Sequence, residues 1–160
     1  MALQNSLVFR IGQSLYAVDV QQANEVEKKA SIQQLPGMPK CMFGLMKIRD
    51  EMVPVISVRE HFGLPTLSSD EEFVVIVTKA NGHAIAYQVD QVHAIKTLEY
   101  QEINAAPEII KSTTGCVQSV TELEGQVVVM IDLIKLLTDR ENSALLEFME
   151  KYLRDISAEA

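Results

Sequence analysis

Tryptophan is absent from this 160-residue chain, and aromatic residues make up only 6% of it. Proteins that bind single-stranded nucleic acid stack bases on aromatic side chains, so this composition argues against such a surface. Basic residues are also outnumbered, with 14 Lys and Arg against 22 Asp and Glu and a formal net charge of −8. Nucleic acids and anionic membranes attract basic surfaces, so neither is an expected partner. Protein partners are favoured, although solubility alone explains the negative charge equally well.

Cysteine is scarce too, with Cys41 and Cys116 far apart among apolar neighbours. Neither belongs to a Cys or His pair with metal-site spacing, which predicts two buried apolar thiols in a reducing compartment. The longest apolar runs, residues 73–77 and 127–131, are too short to cross a bilayer. The first ten residues also lack the pattern of a signal peptide. We therefore expect a cytoplasmic protein without direct membrane insertion.

Sequence motifs of catalytic sites are missing as well. The chain contains no P-loop, no Gly-x-Gly-x-x-Gly segment, no HExxH pair and no nucleophile elbow. His61, His83 and His93 have no acidic or thiol neighbours at ligand spacing, which favours ordinary histidines over metal ligands. The sequence therefore predicts neither an enzyme nor a cofactor.

The most informative stretch covers residues 44–62. Two apolar segments flank a polar break, and their alternation predicts a β-hairpin with Arg49 at or beside its tip. A short helical turn is predicted directly after the hairpin. Similar alternation predicts further hairpins within residues 7–20, 73–89 and 116–131. The sequence is therefore that of a mainly β protein.

Self-similarity within the chain refines this prediction. Residues 17–26 align with 86–95, and residues 44–56 resemble 115–131, which indicates two copies of one small β unit. A small antiparallel sheet protects its edges best by closing into a barrel. We therefore predict two five-stranded β-barrel subdomains, at about residues 7–66 and 72–138. The acidic segment 66–72 is either their junction or a plain surface loop.

A C-terminal helix is predicted at about residues 143–157. Its apolar residues recur every three or four positions and define one face of the helix. They are Leu145, Phe148, Met149, Tyr152, Leu153 and Ile156. This face is expected to pack on the protein's own barrels, and self-association through it is the alternative.

Several short motifs together point to a known family. They are Tyr16-Ala17-Val18-Asp19, Glu25-Val26, Leu35-Pro36, Gly44, Arg49 and Val53-Pro54-Val55. With them, residues 7–137 resemble the CheW-like family of bacterial chemotaxis coupling proteins. The resemblance implies two SH3-like barrels and a scaffold without catalytic activity. It also implies two partners, the regulatory domain of a CheA-type histidine kinase and the cytoplasmic tips of methyl-accepting chemoreceptors.

The resemblance further implies where partners bind. The motif arginine of the family falls on Arg49, and its early binding segment falls on Val20, Ala23, Glu25 and Val26. We expect apolar contacts from this segment and from Ile32, with Glu25 and Arg49 setting orientation. The alternative for Arg49 is a solvated turn residue paired with Asp50 or Glu51, and Glu25 can likewise be a solvated charge.

The chain departs from the family pattern in three places. Lys47-Ile48-Arg49-Asp50 stands where Asn-Leu-Arg-Gly is usual, Ser57 replaces an aspartate, and Ala23 replaces a larger aliphatic residue. These changes bear on the choice of partner rather than on the fold. A divergent CheW-like module that binds another signalling protein, or a small ligand in the groove between the barrels, is therefore an open alternative.

Overall fold

The computed structural model describes residues 2–68, 70–80, 82–102 and 116–159. The strands are β1 (Ala2–Ile11), β2 (Ser14–Asp19), β3 (Glu25–Lys28), β4 (Ile32–Gln33), β5 (Met42–Ile48), β6 (Glu51–Ser57), β7 (Val74–Ala80), β8 (His83–Val89), β9 (Gln91–Glu102), β10 (Val117–Leu123) and β11 (Gln126–Ile131). The helical elements are α1 (Val58–His61), a 3-10 helix (Leu133–Lys135) and α2 (Asp139–Glu159). The predicted fold class, mainly β with short helices and a C-terminal helix, is confirmed.

The strands form two β subdomains. One is a closed five-stranded barrel in the order β1-β2-β11-β10-β9, and the other is a six-stranded sheet in the order β3-β7-β8-β6-β5-β4. The sixth strand is the two-residue β4, which pairs with β5 at the edge of the sheet. Each subdomain therefore contains strands from both halves of the chain.

This pairing corrects the predicted boundaries of 7–66 and 72–138. The first hairpin, β1-β2, joins the barrel of the second half, whereas β7-β8 joins the sheet of the first half. Each exchanged hairpin joins its new subdomain through a parallel strand pair, β2 with β11 and β8 with β6. Segment 66–72 therefore connects two elements of one subdomain, and its described residues form a surface loop. Sequence similarity between the copies could not reveal the exchange, because either copy offers equivalent strands to pair with.

The duplication itself is visible in the two matching hairpin turns. Arg49 and Asp50 at the β5-β6 turn have φ values of 49° and 67°, and Glu124 and Gly125 at the β10-β11 turn have 53° and 80°. Positive φ at both central residues is the type I′ geometry that suits two-residue hairpins. The predicted position of Arg49 at the hairpin tip is confirmed. Gly115, which begins the second copy, lies outside the described residues.

Three apolar clusters make up the core. One fills the barrel around Leu15 and Met130, and one lines the interior of the six-stranded sheet around Val55 and Val75. The largest lies between the two subdomains and includes Leu145 of α2. Cys41 and Cys116 are both buried in this third cluster, as predicted.

Helix α2 begins earlier than the predicted residue 143, because a capping box defines its start. Thr138 Oγ1 accepts a hydrogen bond from the Glu141 N–H at 3.1 Å, and the Thr138 N–H donates to Glu141 Oε1 at 2.9 Å. Packing of the helix on the protein's own core is confirmed for Leu145, Phe148, Met149 and Tyr152. Leu153, predicted on the same face, is 55% exposed. The side chain of Ile156 lies outside the described residues.

Asp90 ties several elements of the two subdomains together. Its carboxylate accepts hydrogen bonds from Arg59 Nε at 2.8 Å and Arg59 Nη2 at 2.6 Å, and from the Gly12 N–H at 2.7 Å. Burial opposes ionisation of Asp90, but the Arg59 and Gly12 hydrogen bonds outweigh it and lower the pKa of the carboxyl below its usual 3.8. The α1 helix, the β1-β2 turn and the β8-β9 junction are therefore held by one carboxylate, through a bidentate ion pair with Arg59 and a hydrogen bond from Gly12.

Candidate functional site

The two charged residues expected to bind partners lie together. Oε1 of Glu25, at the start of β3, is 3.4 Å from Nη1 of Arg49 at the tip of the β5-β6 hairpin. The same oxygen is 3.6 Å from Nζ of Lys79 on β7. The hairpin tip, the β3 edge and β7 thus share one charged cluster, which we call the Glu25 cluster (Glu25, Arg49 and Lys79).

Strand pairing explains why these residues meet. β3 pairs with β7 in antiparallel register, with Glu25 opposite Val77. Asn24 Oδ1 accepts a hydrogen bond from the Lys79 N–H at 2.9 Å, which holds the end of β7 beside the start of β3. Arg49 lies on the other side of Glu25, held by the two-residue β5-β6 turn. The position of the cluster is therefore set by backbone structure rather than by mobile loops.

The cluster is buried on its acidic side and open on its basic side. The Glu25 side chain is 13% exposed, whereas those of Arg49 and Lys79 are 74% and 57% exposed. Glu25 Oε2 is buried and has no hydrogen-bond partner among the described residues. Arg49 has four of its five N–H donors beyond the one facing Glu25, so it can hold Glu25 and still offer a planar fork to a partner.

Among the described residues, Arg49 does not form an ion pair with Asp50 or Glu51, the alternative that the sequence left open. Asp50 Oδ1 lies 3.9 Å from Lys47 Nζ, on the same hairpin. Arg49 instead reaches across to Glu25, so its direction is fixed by tertiary structure. Ion pairs this exposed contribute about 0–1 kcal/mol to folding, and stability alone is a weak reason for this one.

The apolar residues expected at the site are placed unequally. Val26, next to Glu25 on β3, is 43% exposed and available to a partner. Val20 and Ala23 are half-buried in the turn before β3, packed against the core between the subdomains. Ile32 lies on β4, partly buried against the second core. The structure therefore brings Glu25 and Arg49 together and places Val26 on the opposite face of β3. Ile32 is mainly a packing residue.

Gly44 explains the position of Ile32. A Cβ built on Gly44 would lie 2.5 Å from Ile32 Cγ2 and 3.0 Å from the Gln33 carbonyl oxygen. Only glycine lets β4 approach β5 this closely. The expected motif glycine therefore has a steric role beside the hairpin that carries Arg49.

Sequence reasoning missed Lys79, Leu3 and Ile95. Lys79 contacts Glu25 only because β3 pairs with β7, and no local sequence pattern predicts this contact. Leu3 and Ile95 are each 71% exposed, on the neighbouring strands β1 and β9. The Val20 N–H donates to the Asn5 carbonyl oxygen at 3.1 Å, and Asn5, paired with Thr97, lies between Leu3 and Ile95. The alternation of apolar and polar residues in β1 and β9 predicted strands, but it did not show which of the apolar residues would stay exposed.

His61 and His93 each make contacts that link elements of the fold. His61 Nδ1 lies 3.0 Å from the Ser57 carbonyl oxygen and Nε2 lies 3.2 Å from Glu141 Oε2, which links α1 to the start of α2. His93 Nε2 is 3.6 Å from Glu124 Oε2. Among the described residues, no group of three or more His, Cys, Asp or Glu side chains is arranged to hold a metal ion. Within the same residues, no helix combines the length and apolar character needed to span a bilayer.

Comparison with known proteins identifies the family. A family model described as the CheW-like domain matches residues 5–141. The chain belongs to the CheW-like domain family. Family membership agrees with the resemblance found in residues 7–137, and the match covers both β subdomains and the start of α2.

Members of the CheW-like family with curated names are similar over most of this chain. Chemotaxis protein CheW of Klebsiella aerogenes is 27% identical over 139 residues, covering 86% of this chain and 84% of the relative. Chemotaxis protein CheW of Bacillus subtilis is 26% identical over 141 residues, covering 88% and 90%. The crystal structure of scaffolding protein TtCheW from Thermoanaerobacter tengcongensis superposes with a TM-score of 0.72 at 22% identity, covering 88% and 92%. This last similarity supports the fold.

Proposed function

We propose that the protein is a non-catalytic adaptor that couples chemoreceptors to a CheA-type histidine kinase in chemotaxis or a related chemosensory pathway. Its partners are the regulatory domain of the kinase and the cytoplasmic tips of methyl-accepting receptors. It works in the cytoplasm, beside membrane-bound receptor arrays. Family membership supports the process, and the Glu25 cluster is the observation that supports a binding site in this chain.

An adaptor needs at least two separate surfaces, and the molecule offers two of different character. The first is the Glu25 cluster, where two exposed cations flank a partly satisfied carboxylate, with the exposed Val26 on the opposite face of the same edge strand. The second is an apolar surface on the outside of the five-stranded barrel that carries Ile95 and Leu3, with the hydrogen-bonded Asn5–Thr97 pair between them. We assign the charged surface to the kinase domain and the apolar surface to the helical receptor tip.

The charged surface is expected to set the orientation of the bound partner more than to bury a large apolar area. Arg49 presents a planar fork that can hold a carboxylate or a pair of carbonyls on the partner, and lysine does not reproduce that geometry. Glu25 fixes the direction of the fork. A partner that also wraps around the edge of β3 would cover Val26 and gain about 25 cal/mol per Å² of apolar area buried. Binding of this kind is reversible and requires no chemical step in the chain itself.

A bridging pull-down tests the proposal. The kinase regulatory domain is immobilised, a receptor tip fragment is added, and retention of the fragment is measured with and without this protein. We expect retention only when the protein is present. Arg49→Ala should reduce capture of the protein by the kinase domain, and Ile95→Asp should reduce capture of the receptor fragment alone.

Matched variants make the result specific. Lys47→Ala removes a similarly exposed cation from the same hairpin, one that pairs with Asp50 rather than Glu25. Leu64→Asp changes another exposed apolar residue, located in the loop after α1. Both controls should bridge as the unchanged protein does. Absence of bridging by the folded protein, with neither partner bound, would refute the adaptor role.

A further inference from the structure

A cavity of about 380 Å³ lies between the six-stranded sheet and the start of α2. Its walls include Ile85 and Tyr87 of β8 on one side and Asn142 and Leu146 of α2 on the other. This volume is within the 300–1,000 Å³ typical of small-molecule sites. It corresponds to the liquid volume of about a dozen water molecules. The cavity is separate from the Glu25 cluster and from the apolar surface at Ile95.

Thr78 gives the cavity an unusual polar group. The residue is 4% exposed, and its Oγ1 has no hydrogen-bond partner among the described residues. On β7, Thr78 lies two residues after Ile76, so the two side chains are on the same face. Ile76 is buried in the core between the subdomains, and this face is the one covered by α2. A buried hydroxyl without a partner is unfavourable, and a ligand carrying one hydrogen-bonding group would relieve that penalty.

The mouth of the cavity is apolar and uncovered. Ile134 of the 3-10 helix is 48% exposed and Leu146 of α2 is 38% exposed, and both line the cavity. Exposed apolar side chains beside a concave site gain from being covered by an apolar ligand. The lining thus has a polar point on the sheet and an apolar rim on the helical side.

The hydrogen-bonding groups of the lining favour a neutral ligand. Burial raises the pKa of the Tyr87 hydroxyl far above its usual value, and the Asp132 carboxylate adds to this effect, so the phenol stays protonated. Thr78 and Asn142 are uncharged, and His83 at the rim is exposed to solvent. An ionised ligand head would lose its hydration against these groups without gaining a buried counter-charge.

We propose that this cavity binds a small neutral amphiphile, with its hydrogen-bonding head on Thr78 Oγ1 and its apolar body against Ile85 and Leu146. The ligand class is an aliphatic or aromatic alcohol, ketone or amide that fits within the cavity volume. Binding fills the space under the first turns of α2 and covers Ile134. This site goes beyond the adaptor role and does not depend on it.

Nuclear magnetic resonance titration with 1-octanol tests the site. We expect saturable shifts of the amide resonances of Thr78, Ile85, Asn142 and Leu146. Thr78→Val keeps the side-chain shape but removes the hydroxyl, and it should weaken 1-octanol binding about fivefold without lowering the melting temperature. Sodium octanoate, which has the same chain length and a carboxylate, should bind about tenfold more weakly or less.

Two lysine variants on α2 separate the cavity from the helix surface. Leu146→Lys places a charge at the mouth and should abolish the saturable shifts. Leu153→Lys changes an exposed leucine of the same helix that does not line the cavity, so binding should persist. Both positions are exposed enough for the variants to fold, which thermal melting checks. Shifts without saturation, equal binding by Thr78→Val, or equally tight octanoate binding would each overturn the proposal.

Discussion

Nη1 of Arg49 lies 3.4 Å from Oε1 of Glu25, although the two residues sit at distant places in the strand order of one sheet. Arg49 caps the β5-β6 hairpin, whereas Glu25 opens β3, the edge strand on the other side of β7 and β8. The six-stranded sheet must therefore curl until its hairpin tip meets its first strand. The contact joins the two charged residues that the sequence singled out.

A double-mutant cycle on this pair should show coupling in partner binding. Glu25→Gln and Arg49→Ala each remove the ion pair, so the double variant should lose less affinity than the sum of the single variants. The expected interaction energy is about 0.5–2 kcal/mol, since Glu25 acts by directing Arg49. Isothermal titration calorimetry against the kinase regulatory domain measures it. Strict additivity would mean that the two side chains act independently.

Val26→Asp should weaken partner binding while leaving the fold intact. The side chain is 43% exposed on edge strand β3, on the face opposite to Glu25, so a carboxylate there is solvated in the free protein but meets a desolvated surface if the partner wraps around this edge. We expect a loss of about 1–2 kcal/mol in binding, measured by the same titration. Leu64→Asp, at a position 38% exposed, is the matched control and should bind normally. Equal losses in the two variants would remove Val26 from the site.

Gly44→Ala should destabilise the protein through a steric clash. The new Cβ would lie 2.5 Å from Ile32 Cγ2, and overpacking of this kind costs about 1–3 kcal/mol. Urea unfolding measures the loss. Because leucine carries no methyl group at the Cγ2 position, Ile32→Leu in the Gly44→Ala background should restore part of the stability. A Gly44→Ala protein as stable as the original would contradict the steric account.

Asp90 should make stability depend on pH in the acid range. Its pKa is lowered in the folded state, so its contribution is complete above the usual value of 3.8 and is lost as pH falls through the lower folded value. Asp90→Asn should cost about 1–3 kcal/mol at neutral pH, because the partly buried Arg59 guanidinium loses its charged hydrogen-bond partner. Between neutral pH and pH 2, the free energy of unfolding of Asp90→Asn should also fall less steeply than that of the unchanged protein.

Urea unfolding at several pH values tests this dependence. Asp50→Asn is the control, because the Asp50 side chain is 97% exposed and pairs only weakly with Lys47 at 3.9 Å. The control should follow the pH profile of the unchanged protein. A parallel profile for Asp90→Asn would show that another carboxyl group governs acid stability.

Local sequence patterns predicted the individual strands and helices of this fold better than they predicted which strands pair with each other. The alternation in residues 44–62 gave the β5-β6 hairpin and the position of Arg49, because strand period and turn chemistry are local properties. The exchange of β1-β2 and β7-β8 between subdomains was not predictable, since each copy of the duplicated unit offers similar edges. Lys79 was missed for the same reason, as it meets Glu25 only after β3 pairs with β7.

One local signal was present but not used. Thr138 and Glu141 have the Thr-x-x-Glu spacing of a capping box, and this would have placed the start of α2 at Asp139. Exposure is harder to predict, because alternation identifies a strand face without showing what covers it. Ile95 and Leu3 follow the strand pattern like their buried neighbours, and only the packed structure shows that they stay open.

The most direct test of the account is the affinity of the kinase regulatory domain for this protein and for its Arg49→Ala variant, measured by titration calorimetry. The variant should fold normally and lose about 1–3 kcal/mol of binding free energy, as expected for a charged hydrogen-bonding anchor. Lys47→Ala should bind like the unchanged protein. Unchanged affinity of Arg49→Ala, or an equal loss in Lys47→Ala, would contradict a binding site built around the Glu25 cluster.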